Sequence, residues 1–231
     1  MLFFSIQQVS AQGIFSKERV KNRENHDKQM LRWGYYLGLN SLDFDFNYIP
    51  ERANIPTEIQ DIQTTKQVGF NVGLIGNLRI NDHLDIRTEP GVIFNTRTLM
   101  YPGDELERGN IRELNTTAVH IPLLLKISTK RLNNFKPFIV GGVSTSINLS
   151  SNEDNPSCNR SAQFRTKTNY NNYELGFGID FFLPYFKFTP SVRGVFSLTN
   201  ELVPDEDPDS EYTSFIDDME TRGIFINFTF Q

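Results

Sequence analysis

Eight charged residues stand at alternate positions of otherwise apolar segments, and they offer the most chemistry in this chain. Alternate positions of a β-strand share one face of a sheet. If that face is enclosed, charges of both signs must pair with one another. We therefore predict an ionic network inside the fold, formed by Asp85, Arg87, Glu89, Lys126, Glu174, Asp180, Lys187 and Arg193.

Other reactive residue types are too scattered to predict a catalytic or metal site. His26, His83 and His120 are far apart and have no metal-ligand spacing. The spacing of the residues indicates neither a Ser/His/Asp triad nor a glycine-rich phosphate-binding loop. Cys158 is the single cysteine, so an intramolecular disulfide cannot form. We predict no enzymatic activity, no cofactor and no metal. An enzyme acting at a barrel rim is the alternative, and it would depend on His120.

The segments that carry these residues predict β-structure. From residue 32 to the C-terminus, eight stretches alternate apolar and polar residues. The connections between them alternate between long polar segments and short turns at 81–82, 129–134 and 184–185. This arrangement predicts an all-β fold: an eight-stranded antiparallel up-and-down transmembrane β-barrel with short periplasmic turns and long extracellular loops.

Composition narrows the class of protein further. The net charge of −5 suggests no basic surface for nucleic acid. No window contains the ~18 consecutive apolar residues that a spanning helix needs. Twenty phenylalanines favour pleated, half-buried surfaces. The acidic segment 200–220 could attract a hard cation such as calcium, but it lacks EF-hand spacing and no ligands are assigned.

A soluble sandwich or lipocalin-like barrel would show the same alternation with its faces reversed. Three features favour the membrane barrel: mid-strand charges, glycines on the charged face, and large aromatics near strand ends, such as Trp33 and Tyr185. The first strand changes phase, with apolar residues on odd positions up to Leu39 and on even positions from Leu42. We expect a β-bulge near Asn40 and Ser41 to correct the register.

We divide the chain into three parts. Residues 1–11 resemble a truncated signal peptide, because small residues precede Gln12. Residues 12–31 are dense in charge and form a periplasmic N-terminal arm, and residues 32–231 form the outer-membrane barrel. The arm is a candidate for binding a partner protein through Lys17, Arg19, Lys21 and Arg23.

Four stretches of the chain resemble the PorT family of the Bacteroidetes: residues 15–25, 32–38, 115–126 and 221–230. The N-terminal stretch is the most specific of them. The resemblance implies a component of the type IX secretion system, which exports proteins with a C-terminal signal across the outer membrane and serves gliding motility in some species.

The partners implied by the resemblance are other outer-membrane and periplasmic components of that system and the lipid bilayer. Neither a nucleic acid nor a small-molecule substrate is implied. The alternative function is that of a general small porin-like or surface-binding eight-stranded barrel.

Overall fold

The structure is a computed structural model that describes residues 21–49, 62–100, 111–153, 165–204 and 216–231. Within these ranges, no helix is long and apolar enough to cross a membrane. One 3-10 helix, His26–Lys28, precedes ten strands: β1 (Leu31–Tyr48), β2 (Gln63–Lys66), β3 (Val68–Arg79), β4 (Leu84–Thr88), β5 (Gly91–Met100), β6 (Ile111–Ser128), β7 (Phe135–Asn148), β8 (Asn169–Phe182), β9 (Lys187–Ser197) and β10 (Ile216–Phe230).

Antiparallel pairing joins these strands into a closed ring. The order runs from β1 through β10, β9, β8, β7 and β6 to β4 and β5, then to β3 and β2, and pairing of β1 with β3 closes it. β2 and β3 together occupy one strand position of the ring, and β4 and β5 together occupy another. The ten strands therefore fill eight positions in the barrel. The predicted eight-stranded up-and-down barrel is confirmed.

Proline accounts for the interruption between β4 and β5. Pro90 has no N–H to donate to a neighbouring strand, although its carbonyl accepts a hydrogen bond of 2.9 Å from the backbone N–H of Leu74. Pro122, Pro137 and Pro190 lie within continuous ladders, so the closed ring tolerates them.

The two ends of the barrel differ in their connections. Three short connections, residues 80–83, 129–134 and 183–186, lie at what we call the tight-turn end. In the first of them, Asn81 Oδ1 accepts hydrogen bonds of 2.8 Å from the backbone N–H groups of His83 and Leu84, as expected for an Asx-stabilised hairpin. The opposite end, where the other strand connections lie, is the long-connection end.

The outer face of the barrel is an apolar belt. Outward side chains such as Leu74, Leu123 and Ile139 are largely exposed, and Leu175 and Phe177 are 60% and 63% exposed. Apolar surface exposed on this scale around a whole ring requires hydrocarbon contact. The structure therefore has the reverse of the arrangement expected for a soluble sandwich.

The predicted bulge in β1 is wrong. Its pairing with β10 runs without a shift from Tyr35 to Asn47, and its pairing with β3 is continuous from Leu31 to Ser41. Even positions of β1 therefore point inward throughout. The change of phase in the sequence arises because the interior becomes apolar toward the long-connection end, while the outer face becomes polar there.

This apolar interior is a compact cluster that we call the apolar cap. Its six buried members come from strands and from the connections beside them, and Phe46, Tyr48 and Leu114 pack against it as partly buried neighbours. The strands thus extend past the belt and enclose a core of the soluble-protein type. The cap consists of Phe44, Ile62, Leu99, Leu202, Ile216 and Met219.

Candidate functional site: the charged interior and its cover

All eight residues of the predicted ionic network point into the barrel, and each is buried. One group is centred on Asp180. Its Oδ2 lies 2.6 Å from Nζ of Lys126 and 3.8 Å from Nζ of Lys187, and its Oδ1 accepts a hydrogen bond of 2.7 Å from the Thr189 hydroxyl. Two cations therefore share one carboxylate at this level of the interior.

A second group is centred on Arg193. Its Nη2 lies 3.0 Å from Oε2 of Glu89, and its Nε lies 2.9 Å from Oε2 of Glu174. Glu89 also forms an ion pair with Arg87. Because Glu174 lies in β8 and Glu89 lies in the break between β4 and β5, Arg193 connects these two parts of the barrel across the interior.

The last network member, Asp85, pairs with a residue that the sequence analysis missed. Nη2 of Arg32 lies 2.8 Å from Oδ2 of Asp85, and both side chains are buried. Arg32 is the first inward position of β1, directly before Trp33. The two-residue period of that strand was the signal that could have identified it.

His120 also lies in this network, and the structure gives it two polar neighbours. Its Nδ1 is 2.9 Å from the Ser146 hydroxyl and its Nε2 is 2.8 Å from Oε1 of Glu174. The order Ser, His, Glu resembles a nucleophilic triad. All three are almost completely buried, and Glu174 is also paired with Arg193, so the arrangement holds a charged interior together and offers no route for a substrate.

Polar and aromatic side chains fill the space around these charges. Asn71 donates a hydrogen bond of 2.7 Å to Asn227, which donates one of 3.3 Å to Glu89. Tyr36 occupies the space that side chains would need at two glycines: a Cβ on Gly91 would lie 2.2 Å from the Tyr36 hydroxyl. The small residues make room for the ring, as the glycine pattern predicted.

Above the charged layer, Arg97 lies against the apolar cap. Its guanidinium lies 3.7 Å from the centre of the Phe44 ring and donates to the hydroxyls of Thr221 and Thr116 at 3.0 and 3.1 Å. Glu201, in the connection after β9, accepts from the backbone and hydroxyl of Thr221. Burial raises the pKa of the Glu201 carboxyl.

Residues 21–30, which we call the arm segment, lie across the tight-turn end. The backbone N–H of Asn22 donates to Asn134 Oδ1 at 2.9 Å, and Arg23 donates to the carbonyl of Gln231 at 2.7 Å. Arg131 binds the carbonyl of Asn22. These contacts reach the β6–β7 turn and the end of β10, so the arm segment covers the mouth of the barrel.

Two further contacts fix this cover. The Arg131 guanidinium lies 3.8 Å from the centre of the Phe182 ring and 3.4 Å from Asp27. His26 is buried beside the same ring, at a centroid distance of 6.3 Å. Burial, with Lys187 and Arg23 nearby, lowers the pKa of His26 to about 3, so the imidazole is neutral in the docked arm.

The four basic residues predicted to bind a partner have different positions. Lys21 is exposed, whereas Arg23 is engaged with the end of β10. Lys17 and Arg19 lie outside the described residues, as do Cys158 and most of the acidic segment. Among the described residues, no group of three or more potential ligands could hold a metal ion.

These features define a small transmembrane β-barrel with a filled interior. A family profile described as "Outer membrane protein beta-barrel domain" matches residues 11–203, and the chain belongs to this family. The barrel is therefore an outer-membrane protein. None of the functionally curated proteins matches the chain.

Solved structures of small outer-membrane proteins are similar in outline. OprG from Pseudomonas aeruginosa is 13% identical, with a TM-score of 0.47 and coverage of 87% of this chain and 93% of that one. AlkL, solved in DMPC bilayers, is 10% identical, with a TM-score of 0.46 and coverage of 94% of both chains. Neisserial surface protein A is 8% identical, with a TM-score of 0.44 and coverage of 87% and 98%. At these values no activity transfers from them.

Proposed function

We propose that this barrel is a non-conducting subunit of the outer membrane that works by docking to other proteins rather than by passing solutes. The observation that carries the proposal is the arm segment, which lies across a mouth whose interior is already filled. A pore needs continuous water, and here charged residues contact one another instead.

A small barrel cannot pass folded cargo through its lumen, and this filled interior leaves only outer surfaces for function. The arm is the surface best suited to docking. Its described part, from Lys21 onward, is anchored to the barrel and gives the preceding sequence, which contains Lys17 and Arg19, a fixed point of attachment. With the N-terminus in the periplasm, this point faces periplasmic partners.

The resemblance of residues 15–25 and 115–126 to the PorT family gives this docking role a specific context. We propose the type IX secretion system, with assembly of the translocon as the contribution of this subunit. Export of proteins with a C-terminal signal, and gliding motility where present, would then depend on the barrel indirectly.

Conductance separates this proposal from the porin-like alternative. The purified barrel in planar bilayers should show no steady open channels, and neither should Arg131→Ala, which loosens only the cover. Steady channels in the wild type would contradict the non-conducting subunit and support a small porin.

Co-purification tests the docking role. Deleting residues 14–20 removes Lys17 and Arg19 but keeps the anchored arm segment. We expect the variant barrel to assemble in the outer membrane, while proteins that co-purify with the wild type are lost and secretion of cargo falls. Charge-preserving replacement of the same residues, Lys17→Arg with Arg19→Lys, is the matched control. Normal secretion by the deletion variant would exclude the arm as the docking surface.

A further inference from the structure

A layer of polar side chains lies between the arm segment and the ion pairs of the interior, and we call it the sub-arm layer. Arg32 and Asn77 are cross-strand partners on β1 and β3. Lys187 and Gln231 exchange backbone hydrogen bonds of 2.6 and 3.0 Å at the end of β10. The two pairs approach each other beneath the arm segment, since the charges of Arg32 and Lys187 both act on His26. The sub-arm layer consists of Arg32, Asn77, Lys187 and Gln231.

Every side chain of this layer carries polar atoms that are buried and have no hydrogen-bond partner among the described residues. These atoms are Nε of Arg32, Nδ2 and Oδ1 of Asn77, Nζ of Lys187, and Nε2 and Oε1 of Gln231. Native interiors rarely leave buried polar groups unpaired, so a cluster of them indicates ordered water or another small ligand. Most of these atoms are N–H donors, and the layer therefore favours a ligand that accepts hydrogen bonds.

The charge balance of the interior favours an anion as that ligand. Between the arm segment and Arg97, the described residues include five buried cations and four buried carboxylates: Arg32, Arg87, Lys126, Lys187 and Arg193 against Asp85, Glu89, Glu174 and Asp180. Lys136, buried at the edge of the β6–β7 turn, only increases the excess. Asp27 of the arm segment does not balance it, because this acid lies 3.4 Å from Arg131 and 3.9 Å from Arg32. An unmatched buried charge is costly unless an opposite charge pairs with it.

Lys187 is the cation whose partner is engaged elsewhere. Its Nζ lies 3.8 Å from Asp180, but the two oxygens of that carboxylate contact Lys126 at 2.6 Å and the Thr189 hydroxyl at 2.7 Å. The Lys187 side chain is fully buried, and other cations, Arg32 among them, are near enough to repel it. A neutral amine would remove the repulsion, but its N–H groups would still lack an acceptor.

We infer that the sub-arm layer binds one small monovalent anion, of which chloride is the simplest, against Nζ of Lys187. A single negative charge matches the charge of this ammonium group. The N–H groups of Arg32, Asn77 and Gln231 belong to the same layer and can donate to the anion or to water that hydrates it. Because the arm segment covers the layer, a compact ion fits it better than a large oxyanion. The inference does not depend on which proteins the barrel binds.

The wild-type protein gives the first test. Full-length protein in non-ionic detergent is equilibrated with increasing sodium chloride, while sodium gluconate holds the ionic strength constant. Because the anion binds only the folded barrel, we expect the melting temperature to rise by about 3–6 °C for each tenfold increase in chloride above its dissociation constant. A melting temperature that does not respond to chloride would mean that water alone pairs these groups, and would overturn the inference.

Two lysine variants locate the site. Lys187→Met removes the ammonium group and keeps an unbranched side chain, whereas Lys130→Met changes an exposed lysine of the β6–β7 turn and is the control. We expect the chloride response to vanish in Lys187→Met and to persist in Lys130→Met, with β-sheet circular dichroism retained. A response that survives in a folded Lys187→Met would place the anion elsewhere and overturn the inference. If Lys187→Met does not fold, the wild-type titration alone decides.

Discussion

Lys126 and Asp180 form an ion pair of 2.6 Å across the barrel interior, with both side chains almost completely buried. One residue comes from β6 and the other from β8, so the pair spans the strand between them. Desolvating two charges is costly, and a buried pair often adds little net stability compared with apolar residues of similar size. Removing a single partner is a different matter, because it leaves a buried charge alone.

The first prediction is therefore a double-mutant cycle on this pair. Asp180→Leu should lower the free energy of unfolding by about 3–5 kcal/mol, since Lys126 loses its carboxylate. Asp180→Leu combined with Lys126→Met should recover only part of that loss, because Lys187, the second cation beside Asp180, stays buried without an acid. Urea unfolding in detergent micelles measures both. A double variant no more stable than Asp180→Leu would mean that the two side chains are not coupled.

The second prediction concerns the Arg193 group. Glu174→Leu leaves Nε of Arg193 and Nε2 of His120 without their acid, and should lower the free energy of unfolding by about 3 kcal/mol. Asp217→Leu, at an exposed carboxylate near the start of β10, is the control and should leave the melting temperature almost unchanged. An unchanged melting temperature for Glu174→Leu would show that these interior charges reach water.

The third prediction tests the register of β1. In a Cys158→Ser background, cysteine at Asp45 should react rapidly with a water-soluble maleimide, and cysteine at Phe44 should react at least tenfold more slowly, because Phe44 is buried in the apolar cap and the Asp45 side chain is exposed. A bulge near Asn40 would reverse the two rates. Labelling followed by mass spectrometry measures them.

The fourth prediction concerns attachment of the arm segment. Arg131→Ala removes the contacts with Asn22, Asp27 and the Phe182 ring together. A nitroxide attached at residue 24, by Glu24→Cys in the Cys158→Ser background, should then become more mobile in its EPR spectrum. Lys130→Ala, at an exposed neighbour, should leave the spectrum unchanged. An immobile label in Arg131→Ala would show that the remaining contacts suffice.

The fifth prediction is a pH dependence of the same attachment. The pKa of His26 is about 3 when docked, below its ordinary value of 6.5, because burial, Lys187 and Arg23 disfavour the proton while Asp180 favours it only weakly. A released arm binds more protons between these two values, so docking weakens as pH falls from about 6.5 toward 3. The label at residue 24 should gain mobility over this window, and His26→Phe should abolish the change.

Much of the barrel fold could be predicted from the sequence, because a two-residue period identifies both faces of a strand. It identified all eight members of the predicted network as inward-facing, for example Glu174 and Lys187. It could not give the pairings, since which acid meets Arg193 depends on the stagger of strands far apart in the chain. The shear of a closed ring is a global property that no single strand encodes.

The error in β1 has the same origin. The bulge was predicted on the premise that apolar strand residues always face outward, whereas Leu42 and Phe44 face inward without any change of register. Their inward burial required a second apolar environment, the cap, which collects residues from several separate segments. Likewise, the polar neighbours of His120 come from β7 and β8, and no residue close to His120 in the sequence predicts these contacts.

The unbroken course of β1 past Ser41 sets the shape that the protein presents to its surroundings. From Ser41 to Tyr48 the strand continues for seven steps of about 3.3 Å, which at the usual tilt lifts its tip on the order of 15 Å above the lipid. On that side the sheet extends beyond the membrane as a rim, and the apolar side chains packed inside it make the rim rigid. A molecule that approaches the protein from this side therefore contacts a rigid rim before it contacts the bilayer.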